Sequence, residues 1–253
     1  MSTRWVDLDG AANVRDLGGL PAPNGQTISG MVLRSDALDA LSPADVDHLL
    51  QRWHLRHVVD LRSDGERLER GRGLLNEHPI RYSELQIIDE AQLEQRRTER
   101  EQRLANGESV AQLVAEGYAQ LIDWGSTAFV AAFRAITAPD GGPALIHCSA
   151  GKDRTGILAA LLLGAAGVHH HAIVADYALT TERMDRVIAR LASAERFAYL
   201  AENVQSFVFA AHAETMEWFL QHLDDGWGGP AGWLRAHGVT VDELTDWRTR
   251  FVG

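Results

Sequence analysis

Residues 144–156 read Ala-Leu-Ile-His-Cys-Ser-Ala-Gly-Lys-Asp-Arg-Thr-Gly, and this stretch decides the fold. Ala144 to His147 is a short apolar run of the kind that fills a buried strand. Small residues follow Cys148, and from Thr155 the chain is apolar and alanine-rich to Val168, as a buried helix is. Strand, small-residue loop and helix in that order predict a loop built around an anion. Its backbone N–H groups turn inward and the helix adds the positive end of its dipole. Such a field favours the thiolate of Cys148, the form in which a cysteine attacks phosphorus. Arg154, six positions on, offers a planar fork that binds two oxygens of a tetrahedral anion and stays with them as they flatten. Thr155 is placed to hydrogen-bond the sulfur and ease its departure in a second step.

Outward from this loop, Pro139-Asp140-Gly141-Gly142-Pro143 is a turn that neither helix nor strand crosses. Before it, Gly117 to Ala138 is helical in period with a restart at Ser126, and Glu90 to Leu104 reads as a charged, exposed helix. Ile80 to Leu85 and the β-branched run His57 to Leu61 predict strands, the latter carrying Asp60 at its C-terminal end. Ser42 caps a helix from Pro43 to about Gln51, with a preset φ at Pro43 and a dipole-matched Asp45. Thr27 to Arg34 reads as extended. Beyond Val168 helical periods run near Ala172 to Leu179, Glu182 to Leu191, Phe197 to Ala211 and Glu214 to Leu223. A last helix follows Thr240, which with Glu243 has capping-box spacing.

The chain has 253 residues, 45% of them apolar and 23% charged, which suits one globular domain over 1–253 and excludes disordered or repetitive classes. A formal charge of −11 has the wrong sign for a nucleic-acid partner, so an anionic ligand needs a local positive site. Cys148 is the only cysteine, which excludes an intramolecular disulfide and a multi-cysteine zinc site and suits reducing, cytoplasmic surroundings. Residues 1–20 show no signal peptide or presequence, and the longest apolar run, Ile157 to Val168, is too short to span a bilayer.

The segment from His147 to Gly156 resembles the signature of the cysteine-dependent protein tyrosine phosphatase superfamily, His-Cys, five residues, Arg-Thr/Ser. Its Ala-Gly-Lys-Asp-Arg-Thr-Gly form is similar to bacterial tyrosine and phosphoinositide phosphatases of the atypical dual-specificity type. Asn13 to Gly19, Leu33 to Asp36, Asp60 to Ser63 and the Gly228 to Leu234 stretch are similar to that family's other blocks, in order. The resemblance implies an α/β fold with a central, mostly parallel sheet flanked by helices, a helical lid from the segment after Ala172, a cysteinyl-phosphate intermediate and no metal or cofactor. It assigns Cys148 as nucleophile, Arg154 as phosphate clamp, Ser149, Ala150, Gly151, Lys152 and Asp153 as loop amides, and Thr155 as the hydroxyl beside the sulfur. The implied substrates are phosphorylated proteins or phosphoinositides. No Trp-Pro-Asp acid loop is present, so the general acid is expected at Asp153 in the loop or at Asp60, with the loop aspartate the one favoured among related enzymes.

Several residues carry plainer readings as well. Lys152 can bind a further phosphate or pair with Asp153; Asp153 can be an acid or an ion-pair partner. Arg62 and Glu66 are spaced to form a supporting ion pair. Arg96, Arg100 and Arg103 share one helical face, which suits a solvated surface better than a lipid-headgroup patch because glutamates intersperse them. His169-His170-His171 point in different directions on a helix start and do not make a metal site, and Trp218, Phe219, Trp227 and Trp233 suit helix packing. Asn13, Arg15 and Asp16 are expected to tie the N-terminal segment to the sheet. Two alternatives remain beside a phosphotyrosine hydrolase: a dedicated inositol-lipid or inositol-phosphate phosphatase, and a catalytically silent phosphate-binding module.

Overall fold

The computed structural model describes residues 4–192 and 209–253. Its main sheet has the order β1-β4-β7-β5-β6, where β1 is Arg15–Asp16, β4 Val32–Ser35, β5 His57–Asp60, β6 Arg81–Glu84 and β7 Ala144–His147. Only β1 runs antiparallel; β4, β7, β5 and β6 are parallel. A small hairpin of β2 (Pro21–Ala22) and β3 (Gly25–Gln26) stands apart. The fold is thus α/β, with a mostly parallel sheet flanked by helices.

Side-chain alternation divides the core across the two faces of the sheet. Leu33, Leu145 and Val58 lie in register on one face and pack with Leu38, Leu41, Val46, Leu49 and Leu75. Val59 and Ile146 lie in register on the other, against the helices Ser126–Thr137 and Asp153–Ala166. The Asp153–Ala166 helix is apolar on every side because it is buried on every side. Ile157, Leu158, Leu161, Leu162 and Leu163 are all fully enclosed, each contributing about 1.5–3 kcal/mol of burial. Helices Val110–Trp124, His170–Ala178, Ala213–Trp227, Pro230–Ala236 and Val241–Phe251 wrap this face.

Most predicted elements fall where the sequence places them, and caps at Ser42 and Thr240 form the expected boxes with Asp45 and Glu243. Three differ. Thr27 to Arg34 is not one extended stretch: the Gly30 amide donates to Asp16 Oδ2 in a turn, Thr27 bridges to Val252, and the strand starts only at Val32. The helix read from Gly117 starts at Val110, where Ser109 caps it. The helix after Cys148 starts at Asp153 rather than Thr155, which puts Asp153 at its first position. The period read near Phe197 to Ala211 lies almost wholly outside the described residues.

Candidate active site

The strand ends fix the site's place. Ser35, His147 and Asp60 are register partners at the C-terminal ends of β4, β7 and β5, and Cys148 is the next residue of the central strand. Ligands of open parallel sheets bind at such carboxyl ends. Cys148 is buried, at 2% exposure.

Three successive carbonyls of the loop after Cys148 are tied outward. The Ala37 N–H donates to Ser149 O at 3.0 Å, and Asn13 Nδ2 donates to Ala150 O at 3.1 Å and Gly151 O at 3.2 Å. Arg34 Nη2 donates to Gly151 O at 2.8 Å. With these carbonyls held away, the N–H groups of residues 149–152 are left for an anion; no described backbone carbonyl accepts from them. Gly151 makes the arrangement feasible. Its φ is +67°, and a Cβ there would sit 2.5 Å from Ser35 O.

Arg34 and Asn13 are in turn fixed by a buried cluster. Asp176 accepts from Arg4 Nη1 at 2.6 Å, Arg34 Nη1 at 2.8 Å and Arg15 Nε at 3.2 Å, and Arg15 Nη1 donates to Asn13 Oδ1 at 2.5 Å. Burial alone would raise the Asp176 carboxyl, but the surrounding arginines hold it far below the usual carboxylate range. Burial and the Arg34 charge bring Arg15 down to about 9. Asn13 therefore does more than join the N-terminal segment to the sheet: it supports the loop.

Arg154 is bound in bidentate fashion by Glu66, Nη1 to Oε2 at 2.6 Å and Nη2 to Oε1 at 2.8 Å, and Nη1 also donates to Leu61 O at 3.3 Å. Ser149 Oγ donates to the same Glu66 Oε1 at 2.5 Å. Glu66 reaches them because it is the third residue of the short helix Asp64–Arg70, whose cap Ser63 also donates its N–H to Oε2. Burial would raise the Glu66 carboxyl; Arg154 reverses this and holds it at about 2. Arg154 is correspondingly raised. The ion pair expected between Arg62 and Glu66 is not formed. Glu66 belongs to Arg154, and Arg62 turns to Asp60, Nη2 to Oδ2 at 2.7 Å and Nε to Oδ1 at 3.0 Å, because residues two apart around the strand end face each other there. A signal that could have placed Glu66, though not its partner, is its capping-box spacing from Ser63.

Asp60 also accepts from its own neighbour's amide, Arg62 N, and from Tyr82 Oη at 3.1 Å, and lies 3.6 Å from His147 Nε2. Burial opposes its charge, yet Arg62, with His147 beside it, keeps the carboxyl well below the usual range. Asp60 makes no hydrogen bond or ion pair to Cys148, Asp153 or Arg154. Asp153 is different: partly exposed at the mouth of the loop, its Oδ1 accepts from Tyr118 Oη at 2.9 Å and lies 3.6 Å from Lys152 Nζ. Lys152 is buried, which lowers its pKa, and its Nζ donates to Phe209 O at 3.2 Å. Thr155 Oγ1 is buried with no hydrogen-bond partner among the described residues, as a hydroxyl reserved for the sulfur would be.

Helix Met184–Leu191, which follows Ala172, packs with Phe209 against Ala12 and Ala150. On the helix Glu90–Ala105, Arg103 is paired to Glu108 at 2.6 Å and Glu116 at 2.7 Å, while the Arg96 side chain lies outside the described residues. No group of metal-ligating side chains occurs among the described residues, the three histidines included, and no described helix is long and apolar enough to cross a membrane.

The model of the tyrosine phosphatase family matches residues 6–253. The chain is 30% identical to the triple specificity protein phosphatase PtpB of Mycobacterium tuberculosis, over 98% of this chain and 99% of that one. It is also 30% identical to a tyrosine-protein phosphatase of Nostoc commune, over 53% of this chain and 48% of the relative. Among solved structures, the Siw14 catalytic core aligns with a TM-score of 0.41 and 16% identity, over 90% of this chain and 95% of that one. TpbA of P. aeruginosa aligns with a TM-score of 0.32 and 21% identity, over 74% and 96%.

Proposed function

The chain belongs to the tyrosine phosphatase family and is a phosphatase, and from that premise we propose how its residues divide the work. The Cys148 thiolate attacks the phosphorus of a phosphomonoester, forming a sulfur–phosphorus bond as the phosphorus–oxygen bond to the leaving group breaks. Arg154 and the amides of residues 149–153 hold the equatorial oxygens as they flatten. Asp153 gives its proton to the departing oxygen and then takes one from the water that hydrolyses the cysteinyl phosphate. Thr155 hydrogen-bonds the sulfur as it leaves. Asp60 is not the acid in this reading, since a carboxylate clasped by Arg62 stays ionised; it orders the strand end.

One observation carries the reading. The loop's carbonyls at Ser149, Ala150 and Gly151 are all bound from outside, and Arg154 is fixed by Glu66, so the cradle is organised before substrate arrives. The preferred substrate is phosphotyrosine, with phosphoserine, phosphothreonine and phosphoinositides as further candidates; the triple specificity in the name of the Mycobacterium tuberculosis relative supports that breadth. A dedicated inositol-lipid enzyme is less well supported, because Lys152, its candidate second-phosphate contact, is buried rather than exposed beside the loop. A silent binding module is disfavoured by the intact Cys148, Arg154 and Thr155. The whole chain acts as one catalytic domain, in the cytoplasm.

Turnover of phosphotyrosine peptides, phosphoserine and phosphothreonine peptides and phosphoinositide vesicles, all with chelator present, tests this reading. Phosphotyrosine should be turned over fastest. Turnover of phosphoinositides alone would replace it with the lipid reading, and no turnover of any would replace it with the binding module.

A further inference from the structure

Tyr118 was not legible as a functional residue, yet its hydroxyl donates a hydrogen bond to Asp153. It lies on the helix Val110–Trp124, fully buried, with its ring edge against Tyr177 and Phe219 at centroid distances of 6.1 and 5.8 Å. Its hydroxyl is 2.9 Å from Asp153 Oδ1 and 2.7 Å from the hydroxyl of Tyr177. A phenol has one proton to give. If Tyr118 spends it on Asp153, the contact with Tyr177 must run the other way, and the chain is Tyr177 O–H to Tyr118 O, then Tyr118 O–H to Asp153 Oδ1.

The approach of Tyr177 is itself provided for. A Cβ at Gly156, one turn into the helix that Asp153 begins, would lie 3.1 and 3.2 Å from the Tyr177 ring. Burial, and after it the Asp153 charge, raises both phenols above their ordinary value, so they remain protonated donors at any pH where the enzyme works.

We infer that Tyr118 is a positioning residue for the acid Asp153, with Tyr177 orienting its hydroxyl; the inference rests on Asp153 being the acid. An oxygen that accepts from Tyr118 is a poor place for the acid's proton, so the proton belongs on Oδ2. Tyr118 thereby fixes which oxygen faces the leaving group. In the first step the Oδ2 proton passes to the leaving oxygen as its bond to phosphorus breaks. In the second, Asp153 is a carboxylate that must take a proton from water, and the hydrogen bond from Tyr118 favours that charged form. One fixed donor on Oδ1 thus serves both steps. Among the described residues, the charged and titratable groups that face Asp153 include Tyr118 and Tyr177 from the two helices, Lys152 from the loop and Arg154 beside it, with Cys148 and Arg100 of the Glu90–Ala105 helix facing Lys152.

The test compares wild type, Tyr118→Phe, Asp153→Asn and the double variant on a phosphotyrosine peptide and on dinitrophenyl phosphate, whose leaving group departs without a proton. Asp153→Asn should lower phosphotyrosine turnover about 100-fold and spare the activated ester. Tyr118→Phe should lower phosphotyrosine turnover about tenfold, spare the activated ester and move the high-pH limb of kcat/KM upward, because the carboxylate loses a donor. Added to Asp153→Asn, it should cost nothing more on phosphotyrosine. Equal losses on the two substrates, an unmoved limb, or the same cost with and without Asp153 would make Tyr118 a packing residue only and overturn the inference. If Asp153→Asn shows no leaving-group dependence, the acid assignment fails instead, and Tyr118 loses its role with it. Should Tyr118→Phe not fold, Tyr177→Phe keeps the phenol–carboxylate contact and must still shift the limb in the same direction by a smaller amount; an unmoved limb there overturns the inference equally.

Discussion

Glu66 holds Arg154 by two hydrogen bonds, at 2.6 and 2.8 Å, across 88 residues of sequence. The same carboxylate accepts from Ser149 Oγ. One acid therefore orients Arg154, the proposed phosphate clamp, and steadies Ser149, the first residue after Cys148.

Glu66→Gln should be more damaging than its distance from the reacting atoms suggests. The amide keeps one acceptor but loses the charge, leaving Arg154 buried without its counter-ion, a loss typically of about 3–5 kcal/mol when a buried pair is broken. Phosphotyrosine turnover and inorganic phosphate binding should both weaken, and the thermal midpoint should fall. Wild-type kinetics in Glu66→Gln would mean that Arg154 needs no such support.

Acid should unfold the protein through the same group. The Glu66 carboxyl lies at about 2 in the folded chain against 4.5 for the ordinary side chain, so it binds protons more readily unfolded than folded. Its contribution, on the order of 3 kcal/mol, is present above about pH 4.5 and is lost as pH falls toward 2. Denaturant titrations between pH 6 and 2 should show stability declining with acid, and Glu66→Gln should flatten part of that slope. An identical slope in the variant would remove Glu66 as a source of it.

Gly151→Ala should disable the loop through backbone geometry alone. A methyl group there meets Ser35 O at 2.5 Å on a residue whose φ is +67°. Strain of this kind costs on the order of 1–3 kcal/mol, and relief requires the loop to leave β4. Calorimetry should detect weaker phosphate binding along with lower turnover; unchanged binding would show that the loop tolerates the shift.

Cys148→Ser and Arg154→Lys should separate chemistry from binding. The serine variant keeps the amides and Arg154, so it should bind phosphate or vanadate with no measurable turnover. The lysine variant should lose both, since a point charge cannot hold two equatorial oxygens. Near-native rates for Cys148→Ser would end the cysteinyl-phosphate mechanism.

The loop, its strand and its helix were legible because three physical requirements coincide in thirteen consecutive residues: a buried strand, small residues where the backbone must curl, and an apolar helix. The strand His57–Asp60 was legible for a like reason, a short β-branched run ending in a polar residue, whereas the order of the strands in the sheet was not, because it is set by contacts between distant segments. What the sequence did not disclose is partnership. Glu66 is two residues from Asp64 and four from Arg62 but 83 from Ser149 and 88 from Arg154, and only the folded chain brings the last two onto its carboxylate. Tyr118 sits in a helix that reads as plain apolar packing, because a hydroxyl's partner 35 positions away leaves no local periodicity. Asn13 read as a structural tie for the same reason.

Asn13 supports the carbonyls of residues 137 and 138 positions further on. Contacts of such separation close late, once most of the intervening chain has collapsed. Two of the loop's carbonyls are therefore fully held only in a chain whose N-terminal segment is docked, so the curl of the loop and the seating of that distant segment are gained or lost together.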